Sequence, residues 1–119
     1  MQSQENRENQ AFDLIVTIVN RGVAEEVFAA SREGGAEGGT CIPGRGIGIH
    51  EKAKFMGIPI EPQKEIVLTV TPSDRTERVL ESIRKRVELD KPGHGIGFVI
   101  ELKKVVGIAH LDEKEKPGE

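Results

Sequence analysis

Two five-residue stretches of one pattern, Gly44-Arg45-Gly46-Ile47-Gly48 and Gly93-His94-Gly95-Ile96-Gly97, constrain this chain more than any other feature. Glycine accepts positive φ and lets a backbone approach a ligand or another chain closely, so two such clusters predict two matched loops. Neither is a nucleotide P-loop, because no Gly-Lys-Ser/Thr follows, and neither opens a helix with dinucleotide-fingerprint spacing. As structure, each is a permissive junction at a strand end. As function, exposed N–H groups would cradle an anion while Arg45 or His94 adds charge.

The segments around the clusters read as alternating strands and helices. Residues 12–19 (FDLIVTIV) form a short β-branched run before Asn20-Arg21-Gly22, which is a strand and a turn, with Phe12, Leu14, Val16 and Ile18 on one face. From Val23 to about Arg32, the spacing of Val23, Val27 and Ala30 predicts an amphipathic helix that Gly34-Gly35 stops. Residues 38–42 read as a weaker strand running into the first cluster. Residues 65–71 (EIVLTVT) alternate as a strand until Pro72. Asp74 and Glu77 resemble a capping box before a helix lined by Val79, Leu80, Ile83 and Val87. After the second cluster, Phe98, Ile100 and Leu102 alternate as a strand, and residues 105–108 read as a further short one.

Between the two middle strands, residues 49–63 show neither helical nor strand period, and Gly57, Pro59 and Pro62 break any helix. This stretch reads as an exposed loop, yet it carries Phe55, Met56, Ile58 and Ile60, which suit a partner surface or packing back on the body. The order strand, helix, strand, strand, helix, strand is that of an α+β ferredoxin-like double split βαβ sandwich, an antiparallel sheet with two helices on one face. The other face needs a cover that the chain does not contain, which predicts an oligomer formed through the sheet.

With 119 residues the chain has the length of one domain, expected at residues 11–111 between polar tails at 1–10 and 112–119. A net charge of −3 and the absence of Trp and Tyr remove the electrostatic and stacking signatures of nucleic-acid binding. Nothing reads as a signal segment or membrane span, and a lone Cys41 forms no internal disulfide, so the expected compartment is the cytoplasm.

Catalysis is not indicated. Ser31, Ser73 and Ser82 sit in or beside helices, where capping or solvent explains them, and no nucleophile and base pair up. His50-Glu51 fails as a zinc helix motif because Lys54 stands where the second histidine is needed. Cys41, His50, His94 and His110 match no metal spacing, and no metal site is expected. Lys52, Lys54, Lys64 and Lys91 lie near the glycine clusters as candidate contacts to phosphate or carboxylate, or as plain charged loop residues.

From about Phe12 to Ile108 the chain resembles the PII nitrogen-regulatory signalling proteins, and more closely their divergent PII-like relatives. The resemblance rests on the strand-helix-strand repeat, the Gly44-Arg45-Gly46 junction, the glycine loop at residues 92–97 and the ending Lys104-Val105-Val106-Gly107-Ile108. It implies a homotrimer whose intersubunit clefts bind a small anionic metabolite, with adenine nucleotides (ATP, ADP or AMP) as first candidates. Gly44, Arg45, Gly46, Ile47 and Gly48 would face Gly93, His94, Gly95 and Ile96 of a neighbour. It also implies a mobile T-loop at residues 47–63 that docks on a target protein through Lys52, Lys54, Phe55, Met56, Ile58 and Ile60.

The chain departs from the family at several charged positions. A phosphate-binding lysine is replaced by Ile96, the T-loop glutamine by Gly48 or a near neighbour, and the last-strand arginines by Gly107 and Ala109. With no tyrosine, regulation by tyrosine modification is excluded. Each lost charge-assisted contact would weaken ATP binding by about 1.5–3 kcal/mol unless Arg45 or a loop lysine compensates. The alternative implied by the same architecture is a metal-responsive trimer like the CutA proteins, using Cys41 and the histidines.

Overall fold

The computed structural model describes residues 10–48 and 62–108, and the backbone of residues 54–55 and 58–59. In chain order the elements are β1 (Phe12–Asn20), α1 (Ala24–Gly34), β2 (Thr40–Arg45), β3 (Lys54–Phe55), β4 (Ile58–Pro59), β5 (Gln63–Pro72), α2 (Thr76–Arg86) and β6 (Gly95–Leu102). The main sheet has the order β2-β5-β1-β6 with every neighbouring pair antiparallel, which is the ferredoxin-like arrangement expected from the sequence. The expected tails fall largely outside the described residues.

One sheet face carries both helices. Its core joins Ile15 and Val19 of β1 and Val67 of β5 to Val27 and Ala30 of α1 and Val79 and Ile83 of α2. Phe12, Leu14, Val16 and Ile18 do share a face of β1, but it is the face without helices. There Leu14 lies beside Val70 and Ile100, Val16 beside Leu68 and Phe98, and Ile18 beside Ile66 and Ile96. Ile42, Phe98, Ile100 and Ile96 remain 43%, 39%, 46% and 56% exposed on that face. Beneath the helices, by contrast, Thr17, Thr69 and Thr71 are fully buried, and the Thr17 and Thr69 hydroxyls have no hydrogen-bond partner among the described residues. Alternation therefore identified the two faces of each strand without revealing which one the helices cover.

The helices are fixed by close contacts and by caps supplied from a distance. An alanine Cβ at Gly34 would lie 2.6 Å from the Cα of Val79, so α1 and α2 meet backbone to backbone there. Gly35 ends α1 with φ 110°, as its glycine pair predicted. Val23 offers no cap at the start of α1; instead one carboxylate oxygen of Glu65 accepts the Gly22 and Ala24 N–H groups, each at 2.9 Å. A negative group on these otherwise orphaned N–H groups also suits the helix dipole.

Three expectations are corrected. The Asp74 and Glu77 capping box does not form. A turn in which the Arg75 N–H donates to the Pro72 carbonyl at 2.9 Å moves the helix start on, Arg75 becomes the N-cap residue, and no side chain caps it. Residues 105–108 form no strand; β6 ends at Leu102 and Gly107 takes φ 90°. The 49–63 stretch is not wholly irregular, because β3 and β4 pair Lys54 with Pro59 and Phe55 with Ile58, and Gln63 already belongs to β5. Strands of two residues are too short to show a period.

Candidate ligand cavity at the glycine-rich end of the sheet

The first glycine cluster closes β2 and the second opens β6, the two outer strands, and both lie at the same end of the sheet. Between them Gly44 is beside Lys64, Lys64 is beside Asn20, and Ile18 is beside both Ile66 and Ile96. A cavity of about 680 Å3 occupies this end. Arg45, Gly46, Ile47 and Gly48 form one wall; Leu89, Asp90, Lys91, Pro92, Gly93, Gly95 and Ile96 form the other. Ile18, Lys64 and Ile66 lie between them. The sequence reading sets the two clusters on neighbouring subunits; within one chain they already line the same space.

The repeated sequence does not produce a repeated backbone. Gly44 and Arg45 are paired strand residues, and Gly46 continues the contact by donating its N–H to the Pro62 carbonyl at 3.1 Å. In the second copy Gly93 has φ 80° and Gly95 φ 136°, within a tight reversal after α2. The expectation of two matched loops is corrected accordingly. The second cluster also needs glycine for space: a Cβ at Gly95 would lie 2.5 Å from the Ile18 carbonyl oxygen, and one at Gly97 3.3 Å from Leu89 Cδ1.

Side chains lock this end together. The Lys64 ammonium donates to Asn20 Oδ1 at 2.7 Å, and Asn20 Nδ2 donates to the Gly93 carbonyl at 3.0 Å, so one amide ties the middle strands to the second cluster. Lys91 is ion-paired with Glu88, and this hydrogen bond and charge hold the Glu88 carboxyl below its ordinary range. Arg84 holds Asp90 at 3.1 Å. A second hollow of about 540 Å3 adjoins the cavity, shares Arg45 and Lys64 with it, and includes Gly44, Arg21, Gln63 and Glu65.

His94 does not join either wall. Its Nδ1 lies 3.3 Å from the Val87 carbonyl, a contact in which the ring must donate. Of the expected partner-loop residues, Lys54, Phe55 and Ile58 lie in the β3–β4 ladder by their backbones, and Lys52, Met56 and Ile60 fall outside the described residues. Asn20, Arg21, Gln63 and Leu89 were not singled out by the sequence, because only the β1–β5 register and the reversal after α2 bring them to this end.

The metal-responsive alternative rests on Cys41, His50, His94 and His110. Among the described residues no three His, Cys, Asp or Glu side chains converge, and His50 and His110 lie outside them. Cys41 is exposed on β2, and desolvation together with Glu65 and Glu25 raises its thiol above the ordinary range.

A family model for nitrogen regulatory protein P-II matches residues 12–110, from the start of β1 through both glycine clusters and beyond β6. The chain belongs to the P-II family. Among solved structures, the crystal structure of Arabidopsis thaliana PII bound to citrate superposes with a TM-score of 0.65 at 22% identity, covering 83% of this chain and 84% of that one. At that identity the likeness speaks for the fold. No curated protein sequence matches the chain significantly. In this P-II chain no described helix is long and apolar enough to cross a membrane.

Proposed function

We propose that this P-II protein is a cytoplasmic, non-catalytic homotrimer that senses a small anionic metabolite at the glycine-rich end of its sheet. It passes the signal to a target protein in nitrogen or related metabolism through the loop at residues 47–63. The observation that carries this reading is a cavity walled by residues of both glycine clusters, with the cations Arg45 and Lys64 in its lining. Its position at the base of the 47–63 loop would let an occupant bias that loop, since Arg45, Gly46, Ile47 and Gly48 are both wall and loop root. A protein of the same fold solved with citrate, a small anion, supports an anionic occupant. The exposed apolar face supports assembly, because a large exposed apolar patch marks an interaction surface.

Adenine nucleotides are the first ligands to test, because the cavity is roomy and joins the aliphatic Ile18, Ile47, Ile66, Leu89 and Ile96 to the cations Arg45, Lys64 and Lys91, a suitable seat for a flat base beside a charged tail. Calorimetric titration with ATP, ADP, AMP and 2-oxoglutarate is expected to give binding for at least one of them below millimolar concentration. Arg45→Ala should weaken that binding about tenfold or more, the usual size of a lost charge-assisted contact. If none of the four binds below millimolar concentration, nucleotide and 2-oxoglutarate sensing is wrong. Unchanged affinity in Arg45→Ala would remove Arg45 from the site.

A further inference from the structure

The end of β1 meets the start of β5 through a paired set of contacts. The Arg21 N–H donates to the Gln63 carbonyl at 3.2 Å, and Arg21 Nη1 donates to Gln63 Oε1 at 2.6 Å. Gln63 is the register partner of Arg45. Arg21, Arg45 and Lys64 therefore surround one hollow, and the acid that lines it, Glu65, directs a carboxylate oxygen to the Gly22 and Ala24 N–H groups at the start of α1.

The partner chosen for Arg21 sets it apart from Arg84 and Arg86 of α2. Arg84 is held by Glu81 and Asp90, and Arg86 by Glu26 and Glu33, so their charges are matched by carboxylates. Arg21 is instead oriented by the neutral amide of Gln63, which fixes the guanidinium without cancelling its charge. A planar guanidinium held at one nitrogen keeps its other N–H groups for the bidentate grip that suits phosphate or carboxylate.

We infer that Arg21, positioned by Gln63, is a ligand-binding cation of this protein, and that the hollow it shares with Arg45 and Lys64 takes the polyanionic end of the metabolite, a polyphosphate or polycarboxylate. This rests on the reading of the adjoining cavity as the ligand site and extends that site beyond the two glycine clusters. It also supplies charge at a place different from the positions now occupied by Ile96 and Gly107.

The test is calorimetry of the full chain with three probes, tripolyphosphate, ATP and AMP, on the wild type and on Arg21→Gln, Arg21→Lys, Gln63→Ala, Arg45→Ala and Lys85→Gln. Arg21→Gln is expected to lose tenfold or more in affinity for tripolyphosphate and ATP, with a smaller loss for AMP, which carries less charge. Arg21→Lys should recover part of the loss, and Gln63→Ala should weaken the same probes less than Arg21→Gln does. Lys85 lies outside both hollows, so Lys85→Gln should bind as the wild type does. Wild-type affinity in Arg21→Gln with a loss in Arg45→Ala overturns the inference and leaves the proposed site standing. A wild type that takes up none of the three probes overturns the inference, and with it the reading of the adjoining cavity as a nucleotide site. An equal loss for AMP and tripolyphosphate in Arg21→Gln overturns the charge-reading role, since disturbance of the fold alone would lower all probes alike.

Discussion

Gly95→Ala is expected to destabilise the protein by about 3 kcal/mol or more, through two costs that act together. The first is backbone strain, because φ 136° is a conformation that residues with a Cβ rarely adopt. The second is a collision of that Cβ with the Ile18 carbonyl oxygen, 2.5 Å away on the neighbouring strand, which cannot give without parting β1 from β6. The melting temperature should fall by roughly 10 °C or more on the scale usual for a domain of this size. Gly93→Ala is the matched control: φ is 80°, nothing lies within 4 Å of its Cβ, and the cost should stay at about 1–2 kcal/mol. Thermal or denaturant unfolding of both variants checks this. A Gly95→Ala protein within 1 kcal/mol of the wild type would mean that the second cluster does not need glycine where the fold places it.

The other large effect is expected on the helix-free face. Phe98 sits beside Val16 near the middle of that face and is 39% exposed in a single chain. In the proposed trimer it would be covered, and Phe98→Glu would then bury an unpaired carboxylate in each subunit, a cost of several kcal/mol per site. Sedimentation velocity should show the wild type as a trimer of 13.0 kDa chains and Phe98→Glu as a monomer. The far-ultraviolet circular dichroism of the monomer should stay close to that of the wild type, because the core under the helices, from Ile15 to Ile83, does not include Phe98. A wild type that sediments as a monomer would leave the apolar face without its proposed cover.

How much of this was legible in the sequence follows from which signals are local. The periodic stripe of Val79, Ile83 and Val87, the glycine stop of α1 and the alternation in β5 are local, and each element appears where it was expected. The choice of face was not legible, because both faces of this sheet are apolar in part and the covered one includes Thr17, Thr69 and Thr71. The two glycine clusters could be found by eye, but their different backbones could not. One runs on from a strand, and the other follows a helix whose end places Glu88 at φ 53° and sends Leu89 back over Gly97.

The lining of the candidate cavity was legible to the same degree. Arg45, Gly46, Ile47, Gly48, Gly93, Gly95 and Ile96 do come together around one cavity, and Gly44 lines the hollow beside it. His94 looked like the counterpart of Arg45 and instead turns to the Val87 carbonyl at the end of α2. Asn20 and Arg21 read only as part of a turn, yet Asn20 bridges Lys64 to Gly93 and Arg21 reaches Gln63. Contacts between residues more than forty positions apart depend on strand register, and register is a property of the folded sheet.

The most direct measurement is a titration of glycine-labelled protein with ATP, read from the glycine amide resonances by nuclear magnetic resonance. The chain has 14 glycines spread over both clusters and the rest of the fold, so the reporters and their controls lie in one spectrum. Gly46, Gly48, Gly93 and Gly95 are expected to shift together with a single dissociation constant, while Gly34, buried between the helices, and Gly38, before β2, stay in place. Shifts confined to one cluster, or no shift in either at millimolar ATP, would contradict a nucleotide site built by the two clusters together.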